Sequence, residues 1–331
     1  MRTLATVAFL VTIASVACGG AGGSEGDGPL VVYSGRAEEL VGPLLEEFQP
    51  ESGTELEIRY ADSSELAATL IAEGEESAAD VFFAQDPASL GAAAGLMAPL
   101  PEETLDLVDG RFHDRDGRWV GTSGRVRVVV HNTGSDLPLP QTIDDAVDPA
   151  WAGQLGVAPT NGSFLAFVSA MILERGEDAT REWLEALAAN DPVEFDGNAP
   201  IVEATDTGEL GGGLVNHYYL LRLRAEGQGN NTENYFIPAG DVGSLVMPAG
   251  VGIMANTDSP EAAQELVDFL LAEEAQTFFA TETFEFPLIE GIPQPDGVPP
   301  LSEIDSPDID LSDLAGVLDL ATRLVAEAGL V

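Results

Sequence analysis

Two of the chain's five tyrosines stand side by side in Leu214-Val-Asn-His-Tyr-Tyr219. A phenolate oxygen is a hard, anionic donor suited to a hard trivalent cation. A free tyrosine has a pKa near ~10, so the ion's own charge must draw the proton off at neutral pH. Neighbours in a regular helix point about 100° apart. Tyr218 and Tyr219 therefore face one ligand only at an irregular strand-to-helix corner. A strand at 213–216 followed by a helix over 220–226 puts them at one. Ligands of open α/β sheets bind at the carboxyl ends of strands. A pair of interfacial aromatics, one buried and one half wet, also accounts for the dipeptide. His217 either faces the same cleft or, by alternation along the strand, packs away from it.

A second segment, Pro159-Thr-Asn-Gly-Ser-Phe164, lies between a strand and a helix. Asn161, Gly162 and Ser163 can present backbone N–H groups and a hydroxyl at a helix N-terminus, which is an anion site by geometry. Plain N-capping by Thr160, Asn161 or Ser163 uses the same residues, and Asn198 before Ala199-Pro200 carries the same two readings. Ser34-Gly35-Arg36 is a third strand-to-helix turn, and Arg125 can offer a guanidinium fork to an anion. His113 sits in a charged loop and His131 ends a strand. No G-x-S-x-G elbow or H-E-x-x-H pair is present, and no spacing selects a Ser-His-Asp triad, so a secreted hydrolase is a distant alternative.

The elements that must position these residues alternate. Leu30–Tyr33 is a short apolar strand, and 37–49 carries Leu40, Val41, Leu44, Leu45 and Phe48 at helical spacing. A strand over 55–60 follows, and Asp62-Ser-Ser-Glu65 fits a capping box before a helix at 66–73. Asp80–Ala84 is a buried strand leading into a helix from Pro87. Arg125–His131 is a long strand. Beyond it come a strand at 155–158, helices at 163–174, 178–189 and 200–207, a strand at 245–254, a mostly helical 260–279 and a terminal helix at 311–328. Such alternation predicts a largely parallel α/β sheet. The Pro-rich stretch 292–308 is expected to run over the surface.

The N-terminus has one positive residue, Arg2, then the apolar run 4–17, which are the parts of an export signal. That run is shorter than the ~20 residues that span a bilayer. Cys18 is the only cysteine, so no intrachain disulfide forms. Ala17-Cys18-Gly19 resembles a lipobox, with Ser15 where that motif usually has Leu, and makes Cys18 a candidate lipidation site. GGAGGSEGDGP at 19–29 has the composition of a flexible tether. The net charge is −44, from 57 acidic residues and 13 basic ones that are all Arg. This excludes a nucleic-acid footprint and attraction to anionic lipid. It raises the local concentration of cations, and an acidic surface of this kind suits a salt-adapted proteome.

The segments Val32-Tyr-Ser-Gly-Arg36, Ala79-Asp-Val-Phe-Phe-Ala-Gln85, Ser123-Gly-Arg125, Pro159–Phe164, Asn216–Tyr219, Phe284-Glu-Phe-Pro-Leu288 and Glu327-Ala-Gly-Leu330 together resemble the ferric-ion-binding proteins of ABC iron importers. The resemblance covers nearly the whole mature chain. It implies a two-lobed periplasmic-binding-protein fold of type II, without catalysis. It implies Tyr218 and Tyr219 as Fe³⁺ ligands, completed by a synergistic anion (phosphate, carbonate or similar). For the anion the matching positions are Asn161, Gly162, Ser163, Asn198 and Asn216, with Arg125 nearby. Ser34, Gly35, Arg36, Gln85, Asp86 and His217 are further candidates for the cleft. The sequence departs from the pattern where some members place a His, a carboxylate or a third Tyr: Ala37, Gln85 (beside Asp86) and Phe164 stand there.

The domain plan that follows is a signal at 1–17, a lipid-anchored tether at 18–29, a first lobe of 30–124 plus about 247–288, and a second of 125–246 plus about 289–331. The expected protein is a monomer, exported and held by lipid on the outer face of the cytoplasmic membrane or free in the periplasm. It would deliver iron to an ABC permease and its ATPase. Binding of another solute on the same fold, such as an iron chelate, an oxyanion or a polyamine, is the alternative.

Overall fold

Short apolar runs that are buried on both faces become the strands of this chain, as covered sheets require. In the computed structural model, which describes residues 28–330, Val81–Ala84 and Gly212–Asn216 are buried at every position. The expected export signal, Cys18 and all but the last two residues of the tether lie outside the described residues. The first elements are β1 (Leu30–Ser34), α1 (Glu38–Ser52), β2 (Leu56–Tyr60), α2 (Ser63–Glu73), β3 (Val81–Ala84), α3 (Pro87–Ala93), α4 (Glu102–Leu105) and β4 (Val120–Asn132). Next come β5 (Leu155–Val157), α5 (Gly162–Arg175), α6 (Glu177–Ala189), β6 (Val193–Glu194), α7 (Asn198–Asp206), β7 (Gly212–Asn216), α8 (Tyr218–Ala225) and β8 (Thr232–Tyr235). The chain closes with β9 (Val246–Ile253), α9 (Pro260–Leu271), α10 (Glu273–Thr281), β10 (Phe286–Pro287) and α11 (Leu314–Glu327).

The strands run in the order β2-β1-β3-β9-β4-β7-β5-β6, with β8 and β10 paired to β4 off that path. Two parallel triplets, β2-β1-β3 and β7-β5-β6, flank an antiparallel centre of β9 and β4. The sheet is therefore mixed rather than largely parallel: β9 returns beside β3 and β4 from far along the chain, a non-local pairing that helix-strand alternation does not report. β4 serves both halves. Its residues Val120–Val126 pair with β9, and Arg127–His131 pair with β7. At about 3.3 Å per residue a strand of this length is about 40 Å long, enough to run through two α/β units. The helix α11 packs on α3 of one half and on α5 of the other.

Three local expectations change. Asp62 forms no side-chain cap on α2; the hydroxyl of Ser63 instead accepts from the backbone N–H of Gln85 at 2.9 Å and donates to the Gly35 carbonyl at 3.4 Å. The helical stretch at 260–279 is two helices, broken where Ala272 is extended (ψ 159°). And α8 begins at Tyr218 itself, two residues before the expected start.

Candidate functional site

The two parallel triplets run in opposite senses, because β3 is antiparallel to β9, β9 to β4 and β4 to β7, and residues that follow their strands line a cleft of ≈ 600 Å³. The turn after β1 contributes Gly35, Arg36 and Ala37; the end of β2 contributes Tyr60, Ala61 and Asp62; the turn after β3 contributes Gln85. From the other half come Asn161 after β5, Ala199 and Glu203 of α7, and Tyr218, Tyr219, Arg222, Leu223 and Glu226 of α8. Gly35 is required by close packing: a Cβ there would lie 1.9 Å from Ser63 Oγ and 2.8 Å from Ser63 Cα. At Gly162 a Cβ would lie 2.8 Å from Gln85 Nε2 and 3.2 Å from Asp86 Oδ2, so the two halves meet at that glycine.

Tyr218 and Tyr219 share the first turn of α8. Their rings stack with centroids 4.2 Å apart and planes at 27°. Tyr218 is buried and Tyr219 half-buried. Burial pushes the Tyr218 hydroxyl well above its ordinary value of 10.0; Tyr219 and Glu285 add to the rise, while Arg36 and Arg125 oppose it. A cation beside that hydroxyl would favour loss of its proton.

Behind the tyrosines lies a buried charge cluster. Arg36 Nη2 donates to Glu285 Oε2 at 2.6 Å, and Arg125 Nε stands 3.6 Å from Glu285 Oε1. Arg125 Nη2 donates to the Pro248 carbonyl at 3.2 Å. Arg36 Nε, Arg125 Nε and Arg125 Nη1 are buried without a hydrogen-bond partner among the described residues. Buried, charged donors left so are costly. Asp86 caps α3, accepting from the Ser89 N–H at 2.8 Å, and burial raises its carboxyl pKa against that bond and the field of Arg125. Ser34 is buried and closes the β1 turn by donating to the Arg36 carbonyl at 2.9 Å.

Four of the expected anion residues, Asn161, Ser163, Asn198 and Asn216, form one network. Asn161 Oδ1 caps α5 by accepting from the Ser163 N–H at 3.1 Å, and accepts from Asn198 Nδ2 at 3.3 Å. Asn216 Nδ2 donates to Ser163 Oγ at 3.2 Å. Arg127 joins them, donating to Asn198 Oδ1 at 3.4 Å, Asn216 Oδ1 at 3.2 Å and the Leu214 carbonyl at 2.9 Å. Only Asn161 of this group lines the cleft; Gly162, Ser163, Asn198 and Asn216 lie behind it.

His217 is not a cleft residue. Its Nδ1 accepts from the Val126 N–H at 3.3 Å, which leaves Nε2 to donate to the Phe284 carbonyl at 3.0 Å. Its ring stacks on Phe286 at 4.6 Å. With both nitrogens engaged and the side chain buried, it has neither a free lone pair nor access to the cleft.

The family model for bacterial extracellular solute-binding proteins matches residues 76–308. The chain belongs to this family. A curated relative, an Fe(3+)-binding periplasmic protein of Serratia marcescens, is 30% identical over 100% of this chain and 98% of its own. The major ferric iron-binding protein of Neisseria meningitidis serogroup B is 28% identical over 91% of this chain and 93% of its own. Among solved structures, iron-bound HitA from Pseudomonas aeruginosa superposes with a TM-score of 0.85 at 31% identity, covering 91% of this chain and 99% of that one. The solute-binding protein thus has the two-lobed α/β fold of its relatives, and its family captures solutes rather than transforming them.

Arg127 and Glu285 of this solute-binding protein's site were not singled out in the sequence, nor were the cleft-lining Tyr60, Glu203 and Arg222. Arg127 was legible: it is two positions from Arg125 on a strand, hence on the same side of it. Glu285 lies in the segment Phe284–Leu288 that carries the family resemblance, but its pairing gave no local signal, because it stands 249 positions from Arg36. Ala37 lines the cleft without a donor atom, and Phe164 is buried in the core.

Proposed function

We propose that this solute-binding protein captures Fe³⁺ through the phenolates of Tyr218 and Tyr219, with a synergistic anion such as phosphate or carbonate held beside them, and delivers it to an ABC permease and its ATPase. The observation that carries the reading is the stacked tyrosine pair on the cleft wall, backed by guanidinium N–H groups that have no partner among the described residues. The chain's similarity to an Fe(3+)-binding periplasmic protein, a major ferric iron-binding protein and iron-bound HitA supports it. We divide the chain into lobes of 30–124 plus about 247–288 and 125–246 plus about 289–331, a division supported by the change of partner along β4 from β9 to β7. On this reading the strand crossing near Arg125 and the return near Leu245–Pro248 are the hinge. Closure excludes water and strengthens each charged contact, and docking on the permease favours the open state, a population shift by differential binding. The export signal and a lipid on Cys18 would keep the protein at the outer face of the membrane.

The test is an absorbance titration of the iron-stripped protein with a weakly chelated ferric salt, with and without phosphate or bicarbonate. A phenolate-to-iron charge-transfer band saturating at one equivalent is expected. Tyr218→Phe and Tyr219→Phe should each weaken iron binding by orders of magnitude while circular dichroism is unchanged. Wild-type affinity in both variants would remove the site.

A second reading has its own observation. The cleft of ≈ 600 Å³ far exceeds one ion and its nearest waters, each of which occupies ~30 Å³. Among the described residues no group of three His, Cys, Asp or Glu could hold a metal. A chelated iron fits both facts. Iron retained only when a small polycarboxylate accompanies it would identify the chelate as the solute.

A further inference from the structure

We infer that Glu285 is the resident counter-ion of the Arg36–Arg125 pair, and that by half-neutralising it Glu285 sets how tightly the protein holds an exogenous oxyanion. The inference rests on the anion part of the proposed function.

Glu285 is fully buried (0% exposed) at the turn between α10 and β10. Its Oε2 accepts from Arg36 Nη2 at 2.6 Å, Thr283 Oγ1 at 3.0 Å and Ser123 Oγ at 3.3 Å. Its Oε1 faces Arg125 Nε at 3.6 Å, beyond hydrogen-bond reach, and has no partner among the described residues. One carboxylate thus stands between two guanidiniums and satisfies neither. The remaining N–H groups, Arg36 Nε with Arg125 Nε and Nη1, are the kind of charged donors that an oxyanion's oxygens accept from. Arg36 lines the cleft, and Arg125 lies close enough to Tyr218 for their charges to interact.

The backbone holds the carboxylate at this station. Phe284 has φ of 58°, left-handed for a bulky residue. Strain of this kind persists only where surroundings over-determine it, and it clusters at working sites. Here His217 Nε2 donates to the Phe284 carbonyl at 3.0 Å, and the Glu285 N–H donates to the Phe279 carbonyl at 2.8 Å. His217 immediately precedes the tyrosine pair, so the corner that carries the phenolates also aims the carboxylate at the guanidiniums.

With Glu285 charged, the trio carries one net positive charge, and an entering anion meets moderate attraction. Without that charge the two buried guanidiniums face each other with only Asp86, beside Arg125, to offset them, and an exogenous anion becomes the counter-charge that Arg36 lacks. Glu285→Gln keeps the shape and removes the charge. Glu285→Asp keeps the charge but withdraws it from Arg36. A purely structural ion pair would make both variants less stable with no change in anion binding.

The experiment is calorimetric titration of inorganic phosphate into the iron-stripped wild-type, Glu285→Gln and Glu285→Asp proteins, with melting curves in parallel. Both variants are expected to melt lower than wild type without phosphate, to gain more from it, and to bind it roughly tenfold tighter or better. If wild type binds phosphate and the folded variants bind it equally or more weakly, the role of Glu285 is overturned and the anion site stands. If none of the three binds phosphate, both fall. Binding by the variants alone would support the counter-ion role while removing the anion from the proposed function. Should both variants stay unfolded even in phosphate, Glu285 is structural and the inference is overturned.

Discussion

Neighbouring residues at the β7–α8 corner have opposite fates. Tyr218 and Tyr219 turn their rings to the cleft, whereas His217 is locked between Val126 and Phe284. Alternation offered both outcomes for the histidine, and only the position of Phe284, far along the chain, decides between them. The burial has a measurable consequence. It pushes the His217 imidazole down to about 3, with the Phe284 carbonyl opposing and Arg125 adding to the fall. Between the ordinary imidazole value near ~6.5 and that value, the unfolded chain binds a proton that the folded one does not, so stability falls as pH drops through the window, by about 1.4 kcal/mol per pH unit. Asp86, whose carboxyl is raised by burial, contributes the opposite sign over its own range. Denaturant midpoints of the iron-stripped protein between pH 7 and pH 4 should fall less steeply in His217→Gln than in wild type. Parallel slopes would show that His217 already carries a proton in the fold.

The elements, not single side chains, bring the site together. The two parallel triplets run in opposite senses on either side of β9 and β4, and segments that follow their strands line the cleft. β4 ties the triplets together and carries Arg125 and Arg127 at their junction. Arg127 organises the second triplet: it donates to Asn198 after β6, to Asn216 at the end of β7 and to the Leu214 carbonyl within β7. Arg127→Met keeps much of the volume but leaves three acceptors without their charged donor. It should lower stability by about 2–3 kcal/mol in urea unfolding and weaken phosphate binding by freeing Asn198 and Asn216. Unchanged stability would mean that the asparagines find other donors. The helix boundaries were legible to within a few residues wherever apolar spacing was regular, as in α5 and α6. They were misread where capping or a break mattered: Ala272 splits α9 from α10 although no Gly or Pro marks it, and Asp62 lines the cleft instead of capping α2.

The whole molecule carries a net charge of −44, yet its innermost cluster holds Arg36, Arg125 and Arg127 against Glu285 and Asp86. Acidic side chains on the outside repel one another and raise the local cation concentration, while buried guanidiniums await a counter-charge. Salt screens the outer repulsion, shortening its reach from ~10 Å at 0.1 M to ~3 Å at 1 M. The melting temperature should therefore rise by several degrees between those concentrations of sodium chloride, and a marked fall would overturn salt adaptation of the surface. Such surface charge, the α/β alternation, the tyrosine pair and the three strand-to-helix turns were all fixed locally by residue type and spacing, so the sequence by itself determined fold class, family and principal ligand candidates. Which strands run antiparallel, that His217 turns away, that Arg127 braces the asparagines and that Glu285 divides the guanidinium pair were decided only by the tertiary structure. Each depends on contacts between residues 67 to 249 positions apart, and local spacing carries no information about which distant segment will supply the partner.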